Sequence, residues 1–279
     1  MTKLTSILVA TDLSARSDRA VARAAELARA HGAALTVMTV LDDAMPEEMI
    51  HALHDKAHST LTQLVQPLTD GVDVAIIAKP GDPTEEILQA CTNDVDLLVM
   101  GTHRVRLFLD AVRETTMQRI TRLTGTPVLL VTDRADHPYA TILSACDFSP
   151  ASTAALKLGH ALAPSATLTP VHALHVPYSG RLAQTPAASD AIEASFRHEA
   201  EASAKAWLMD KDLPIDQMSD LAILPGSALA ILRTKVEVDR VDLICVGAHG
   251  RVGAARSLLG SLATDLMRDP PCDVLIARP

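Results

Sequence analysis

The stretch Val246 to Ser261, VGAHGRVGAARSLLGS, decides how the rest of the chain is interpreted. It follows an apolar run, Val241 to Val246, that predicts a buried strand, and it precedes Leu262 to Met267, which predicts a helix. A glycine-rich loop between the end of a strand and the start of a helix suits a phosphate. Glycine lets the backbone come close, unpaired N–H groups point at the anion, and the helix dipole favours negative charge. The alternative is a glycine loop that serves only to turn the chain.

A short motif near the amino terminus occurs twice. Residues 6–14, SILVATDLS, reappear 135 positions later as residues 141–149, TILSACDFS. Each copy predicts an apolar strand that ends at an aspartate, Asp12 or Asp147. A serine that is expected to cap a helix follows each aspartate.

The other predicted strands and helices also occur twice and in the same order, so the chain is a tandem repeat of one unit. The remaining predicted strands are Leu35 to Leu41, Val72 to Ala78, Val95 to Met100 and Pro127 to Val131, and then Leu168 to Leu174, Gln217 to Leu224, Val241 to Val246 and Asp273 to Ala277. Helical patterns separate the strands. This alternation predicts an α/β fold of two tandem open parallel sheets with helices on both faces. We expect one domain over residues 1–137 and a second over residues 138–279.

Composition excludes several functional classes. The chain has 279 residues, 48% apolar and 2% aromatic, and a formal net charge of -9. The negative charge and scarce aromatics argue against nucleic-acid binding. No apolar run reaches the length of about 18 residues that predicts a membrane span. The four cysteines are scattered, which predicts buried thiols and a cytoplasmic protein without disulfides.

These motifs resemble the universal stress protein family, and the two copies together resemble a tandem member of it. The family's loop is Gly-x-x-Gly, nine residues, then Gly-Ser or Gly-Thr, which Gly247, Gly250, Gly260 and Ser261 match. The resemblance implies five-stranded parallel sheets in the order 3-2-1-4-5, with ATP bound by some members. The ligand would sit in the crevice where strands 1 and 4 diverge.

The resemblance also assigns roles within the second copy. Asp147 and the main chain near Ala173 would face adenine and ribose, and the loop would hold the phosphates. His249 would orient a phosphate or cap local backbone, and Arg251 would touch phosphates or remain a solvated charge. Mg²⁺ would be held mainly by phosphate oxygens and water.

The first copy departs from this pattern. Arg104 replaces the second glycine, and Glu114-Thr115 stands where counting places Gly-Ser. A side chain at Arg104 hinders close backbone approach, and Glu114 brings a like charge toward phosphate. We therefore expect about one ATP per chain, in the second copy. In the first copy, the basic cluster of Arg104, Arg106 and Arg113 either holds some other anion or pairs with Glu114 and fills the crevice, and the ease of arginine–carboxylate pairing favours the filled crevice.

Three histidines lie on one predicted helical face, at positions 51, 54 and 58. His51, His54 and His58 raise a metal hypothesis. The pattern favours a solvated helix border, because no second set of ligands is placed nearby.

The sequence offers no catalytic constellation. It has no P-loop motif, no dinucleotide fingerprint and no nucleophile elbow. We therefore expect an ATP-dependent regulatory protein of the stress response, read by an unidentified protein partner and at most a weak ATPase. A slow ATPase, a nucleotidyl or phosphoryl transferase, and a nucleotide-free scaffold are the alternatives. The apolar fifth strands are expected to pair as an intrachain pseudo-dimer, with a homo-oligomer left open.

Overall fold

The computed structural model describes residues 4–43, 46–91, 94–102, 115–132, 135–176, 186–250 and 259–279. The described strands are β1 Ser6–Ala10, β2 Ala34–Leu41, β3 Val74–Pro80, β4 Leu97–Gly101, β5 Val128–Val131, β6 Thr141–Ala145, β7 Thr167–Leu174, β8 Ala222–Pro225, β9 Leu243–Gly247 and β10 Asp273–Ala277. The α-helices are α1 Ser17–His31, α2 Glu47–Val65, α3 Pro83–Ala90, α4 Thr116–Leu123, α5 Pro150–Leu162, α6 Pro186–Trp207, α7 Ala228–Asp239 and α8 Ser261–Arg268.

The strands form one ten-stranded sheet in the order β3-β2-β1-β4-β5-β10-β9-β6-β7-β8. Within the amino-terminal half (β1 to β5) and the carboxyl-terminal half (β6 to β10), the order 3-2-1-4-5 and the parallel pairing agree with the prediction.

The two five-stranded sheets continue into one another at their fifth strands. β5 and β10 pair antiparallel, with Leu275 opposite Leu129, and join the halves into one sheet. The physical reason is that both strands are apolar and are buried at every position. Left as edges, they would expose apolar side chains and unpaired backbone groups. The expected intrachain pairing of the fifth strands is therefore present.

Helices cover both faces of the sheet, as predicted. Alternate residues of β1 show the division, because Ile7 and Val9 pack in the cluster that includes α1 and α5, whereas Leu8 packs in the cluster that includes α4 and α8. Strands buried on both faces are apolar throughout, which is why the sequence shows short apolar runs instead of an alternating pattern.

Helix starts differ from the prediction in the first copy. Ser149 caps α5, and its hydroxyl accepts from the N–H of Ser152 at 3.2 Å. The expected equivalent cap at Ser14 is wrong, because α1 has Arg16 at its cap position and begins at Ser17. The Ser17 hydroxyl instead donates to Asp12 at 2.5 Å, which ties the end of β1 to the start of α1.

Three further predictions concern residues away from the sheet ends. All four cysteines are free, and three of them, at positions 146, 245 and 272, are buried. His51 and His58 are exposed on α2, and the described residues contain no group of three or more side chains suited to a metal. Among the described helices, none combines the length and apolar character needed to cross a bilayer.

Candidate functional site

A cavity of about 210 Å³ lies where β6 and β9 diverge at their carboxyl ends. It brings together seven of the predicted site residues, which are Asp147, Ala173, Gly247, His249, Gly250, Gly260 and Ser261. The eighth, Arg251, lies outside the described residues. The other lining residues are Ala145, Cys146, Ser152, Val171, His172, Ala228, Ile231, Leu232, Val246, Leu262 and Ala263.

Asp147 follows β6 directly and faces the glycine loop. Its Oδ1 atom accepts from the N–H of Ser149 at 3.0 Å, which orients the carboxylate. A Cβ atom at Gly250 would lie 3.0 Å from Asp147 Oδ2, so the loop backbone passes directly beside this carboxylate. Glycine at position 250 therefore lets the loop backbone pass close to this carboxylate with no side chain between them.

Gly247 is required for a different reason than the sequence suggested. A Cβ atom there would lie 2.8 Å from the backbone N of Ser152 and 2.9 Å from the carbonyl carbon of Ala151. The first turn of α5 therefore packs against this glycine. Gly101 holds the same position in the first copy, where an added Cβ would lie 3.0 Å from Ser17 Cα. Helix packing accounts for both glycines, so the first glycine of the motif is no evidence of a ligand.

The amino end of α8 is open to the cavity. Gly260 occupies the cap position, and among the described residues no side chain caps the helix. Ser261, the first helical residue, is exposed and lines the cavity. The first N–H groups of a helix have no partner within the helix, and together with the helix dipole they attract anions. This end of the cavity is suited to phosphate oxygens.

Two histidines add polar groups to the cavity. The Nδ1 atom of His172 lies 2.7 Å from the carbonyl oxygen of Cys146, so Nδ1 carries the proton because a carbonyl only accepts. The ring stacks on Phe148 with 4.6 Å between centroids, which fixes its plane. His249 Nδ1 is buried and has no hydrogen-bond partner in the described part of the chain. A buried polar atom without a partner is costly, so a polar ligand at this point would relieve it.

The apolar wall was missed by the motif analysis. Val171 of β7 and Leu232 of α7 are buried, and Ile231 of α7 lines the cavity beside them. The helical apolar pattern of α7 was the available signal, but it predicts a buried face without saying what that face contacts. The cavity therefore combines an apolar wall with a helix end whose chemistry is suited to anions.

The amino-terminal half has an equivalent cavity of about 460 Å³ between β1 and β4. Its lining residues are Ala10, Thr11, Asp12, Ser17, Met38, Val40, Pro83, Ile87, Met100, Gly101, Thr102, Thr115, Thr116, Met117 and Ile120. Arg104, Arg106, Arg113 and Glu114, which were expected to fill this crevice, lie outside the described residues. The filled crevice stays a prediction.

The amino end of α4 differs from that of α8. The Thr115 hydroxyl accepts from the N–H of Gln118 at 3.2 Å, and the Gln118 side chain accepts from the N–H of Thr115 at 3.0 Å. This capping box satisfies two N–H groups at the start of α4, those of Thr115 and Gln118, whereas no described side chain caps α8. It also corrects the alignment by counting, because Thr115, and not Glu114, occupies the cap position that Gly260 occupies in α8.

The Asp12 carboxylate of the amino-terminal cavity has a different set of hydrogen bonds from Asp147, its counterpart in the carboxyl-terminal cavity. Burial raises the pKa of Asp12, but hydrogen bonds from Ser14 and Ser17 outweigh burial and leave that pKa below its ordinary value. The serine hydroxyl that reaches this carboxylate at 2.5 Å occupies one of its acceptor positions. The two crevices therefore share a fold and differ in their polar chemistry.

The chain is a tandem α/β protein with a cavity at the switch point of a parallel sheet in its carboxyl-terminal half. The family model for the universal stress protein family matches residues 3–132 and again residues 138–278. The chain belongs to the universal stress protein family.

Solved structures agree with this assignment of the fold. A universal stress protein from Archaeoglobus fulgidus is 18% identical with a TM-score of 0.70, and 99% of each chain is covered. A putative universal stress protein from Pseudomonas aeruginosa is 19% identical with a TM-score of 0.68, covering 99% of this chain and 94% of that one. No curated protein sequence matches the chain.

Proposed function

We propose that the carboxyl-terminal crevice binds ATP and that the bound nucleotide controls contact with a protein partner. One observation carries the proposal. The amino end of α8, which no side chain of the described residues caps, opens into a cavity that also contains a carboxylate and an apolar wall. The equivalent helix end in the amino-terminal half carries the Thr115–Gln118 capping box, and the Ser17 hydroxyl occupies part of the Asp12 carboxylate there, so we propose no ATP in that half.

Each part of ATP has a chemical counterpart in the cavity. The backbone N–H groups at Ser261 and Leu262 suit phosphate oxygens, and Gly250 lets the loop backbone approach them. The Asp147 carboxylate is an acceptor suited to ribose hydroxyls. Val171 and Leu232 form an apolar wall suited to adenine. Mg²⁺, if bound with the nucleotide, would be held mainly by phosphate oxygens and water.

The described lining residues favour regulation over catalysis. Burial raises the pKa of the Cys146 thiol to about 12, which leaves it protonated and unreactive at neutral pH. Asp147 is oriented by Ser149, and the described lining residues contain no lysine and no second carboxylate to act with it. We therefore propose at most a weak ATPase activity. The proposal places the protein in the cytoplasm, because all four of its cysteines are free thiols.

Isothermal titration of the full chain with Mg²⁺ and ATP tests the proposal. We expect about one site per chain, and loss of binding in Gly250→Arg, whose side chain would enter the loop beside Asp147. Gly125→Arg is the matched control, because an added Cβ at Gly125 meets nothing within 4 Å. It should bind ATP like the natural protein.

Four outcomes would contradict parts of this proposal. Two equivalent sites per chain would contradict the asymmetry between the halves. Tight binding by Gly250→Arg would contradict the role of the loop, and no binding by the natural protein would favour a nucleotide-free scaffold. ATP turnover near the enzyme range of about 1 to 1,000 per second would favour the enzymatic alternative.

A further inference from the structure

The ten-stranded sheet has two edges, β3 and β8, and the backbone groups along them differ. In a parallel pair, every second residue of a strand turns its N–H and C=O toward the neighbouring strand, and the residues between turn theirs away. An edge strand therefore has a row of N–H and C=O groups with no strand beside them. Such a row can pair with a strand of another molecule.

Two hydrogen bonds fix which residues of β3 face β2. The C=O of Asp73 accepts from the N–H of Leu35 at 2.9 Å, and the N–H of Gly81 donates to the C=O of Leu41 at 2.9 Å. The odd-numbered positions between Asp73 and Gly81 therefore also face β2, and the even-numbered positions face outward. The outward residues that have both an N–H and a C=O are Val74, Ile76 and Ala78. Among the described residues, no hydrogen bond reaches these groups.

The β8 edge, in contrast, is blocked. The N–H of Gly226 donates to the C=O of Leu174 at 3.1 Å, so Ile223 and Pro225 are the outward residues of β8. The Ile223 carbonyl accepts from the Arg197 side chain at 3.2 Å. Pro225 has no N–H to donate. In the part of the chain that the structure describes, β3 is therefore the open edge of the sheet.

The open edge is complementary to itself. When a two-fold axis passes through Ile76, a second β3 places its Ala78 opposite Val74 and its Ile76 opposite Ile76. In an antiparallel ladder each of these pairs exchanges two N–H···O=C bonds. Other registers bring in Pro80, which has no N–H, or Val72, whose N–H already donates to a carbonyl of its own turn at 3.0 Å. The register about Ile76 is therefore the one that gives every outward group a partner.

The same register matches the side chains on the uncovered face of β3. Asp73, Ala75 and Ile77 are exposed, and Lys79 is partly exposed. Across the axis, Asp73 lies opposite the Lys79 of a second copy, and Ala75 lies opposite its Ile77. Side chains at these positions of an antiparallel pair are the closest to one another. Each end of the pairing therefore has two opposite charges, and its centre is apolar.

A lysine on an edge strand can instead serve to prevent pairing. Lys79 already forms an ion pair with Glu86 of α3, so its charge is compensated within one chain. Its side chain is still 40% exposed, which leaves it accessible to a second carboxylate. The Asp73 of a second copy supplies that carboxylate, so Lys79 favours this pairing and disfavours a strand that places a cation or an apolar residue there.

We propose that β3 is an interface between two copies of this chain, paired antiparallel about a two-fold axis through Ile76. The sheet then continues across the axis, as it does within one chain at the β5–β10 pair. A two-fold interface uses the same surface of both copies and closes at the dimer. The blocked β8 edge keeps the sheet from extending further. The interface is separate from the proposed ATP crevice and does not depend on it.

Sedimentation velocity of the full chain without nucleotide, between about 1 μM and about 1 mM, tests the proposal. We expect a reversible equilibrium between monomer and dimer, because pairing along one edge makes a small interface. Hydrogen exchange followed by mass spectrometry locates the contact. Exchange over residues 74–78 should become at least about tenfold slower as the concentration rises, whereas residues 222–225 of the blocked edge should not change.

Two variants of the edge and one control sharpen this test. Ile77→Lys brings two lysines close together across the axis and should weaken the dimer about tenfold or more. Val238→Lys is the matched control, because it adds the same charge at an apolar residue that is 72% exposed on α7, and it should associate like the natural protein. Asp73→Lys places a lysine opposite Lys79 and should also weaken the dimer, although it reduces the net negative charge of the chain. Circular dichroism establishes that each variant is folded.

Salt separates charge pairing from a general loss of structure. In about 1 M salt, the difference in association between Asp73→Lys and the natural protein should narrow, because the repulsion between lysines is screened. A difference that does not change with salt would contradict the pairing of Asp73 with Lys79.

Several other results would overturn the proposal. A chain that stays monomeric up to about 1 mM would do so, and would leave the edge to an extended strand of another protein. A dimer in which residues 74–78 exchange as fast as in the monomer would show that the two copies meet on another face. Unchanged association in folded Ile77→Lys and Asp73→Lys would exclude the register about Ile76.

Discussion

Replacing Gly247 by alanine tests whether this glycine serves the fold or the ligand. The added Cβ would lie 2.8 Å from the backbone N of Ser152 and 2.9 Å from the Ala151 carbonyl carbon. Real Cβ atoms essentially never come this close, and the opposing atoms belong to a helix backbone that cannot turn away. Strand β9 or helix α5 must therefore shift.

Shifts forced by an oversized group in a packed interior cost about 1–3 kcal/mol. For a chain of this size each kcal/mol lowers the melting temperature by about 2 °C, so Gly247→Ala should melt about 2–6 °C lower. Differential scanning calorimetry without nucleotide measures this directly. Gly125→Ala is the control, since its Cβ meets nothing within 4 Å. A melting temperature unchanged to within about 1 °C would refute the packing argument and return Gly247 to the phosphate loop.

Two further substitutions test the polar contacts of the sheet. Tyr139→Phe removes the 2.6 Å hydrogen bond to buried Asp273 and should lower the free energy of unfolding, measured by urea titration, by about 1–3 kcal/mol. An unchanged urea midpoint would show that this hydrogen bond does not stabilise the fold. Burial raises the pKa of Asp96, but hydrogen bonds from Thr5 and Ser6 outweigh burial and leave that pKa below its ordinary value. The ionised carboxylate therefore stabilises the fold at pH values above its unfolded pKa of about 3.9. This stabilisation is lost as the pH falls through the pKa of the folded state. Asp96→Asn should therefore have a lower free energy of unfolding than the natural protein at about pH 7, and this difference should narrow toward about pH 3. A difference in the free energy of unfolding that does not change with pH would show that ionisation of Asp96 is not its source.

The repeat explains why so much of the fold could be predicted. Two copies of one pattern identify the same strands twice, so a weak signal in one copy is supported by the other. The least accurate strand start was that of β8, which begins at Ala222 instead of Gln217, because residues 215–217 form a 3-10 turn. Local turn chemistry of this kind leaves no periodic signal in the sequence.

The sequence predicted which residues line the candidate site, but it did not predict why each of them stands there. Counting residues placed Glu114 opposite Gly260, because it assumed loops of equal length. The structure starts α4 after Thr115, since the Thr115 and Gln118 side chains form the capping box that begins this helix. Similarly, the sequence explained Gly247 by a phosphate, whereas its backbone neighbours in α5 explain it without one.

The junction between the two halves, at β5 and β10, could not be predicted because its contacts join distant parts of the chain. The Nε atom of Arg23 lies 3.7 Å from Oδ2 of Asp273, although the two residues are near opposite ends of the sequence. Neither residue belongs to a local motif. His160 lies in an apolar helical pattern, which gives no sign that both of its ring nitrogens lack a hydrogen-bond partner among the described residues.

The β5–β10 pairing has a consequence for how the two halves can differ. In a dimer of identical chains, every interface contact occurs twice, and a substitution changes both sides at once. Here both partners belong to one polypeptide, so the Arg23–Asp273 contact exists once. Its mirror position holds Leu158 of α5 and Pro127 before β5, which line a cavity of about 670 Å³. Tethering also makes the association independent of protein concentration. A single chain can therefore keep one side of its interface closed for stability and leave the other open.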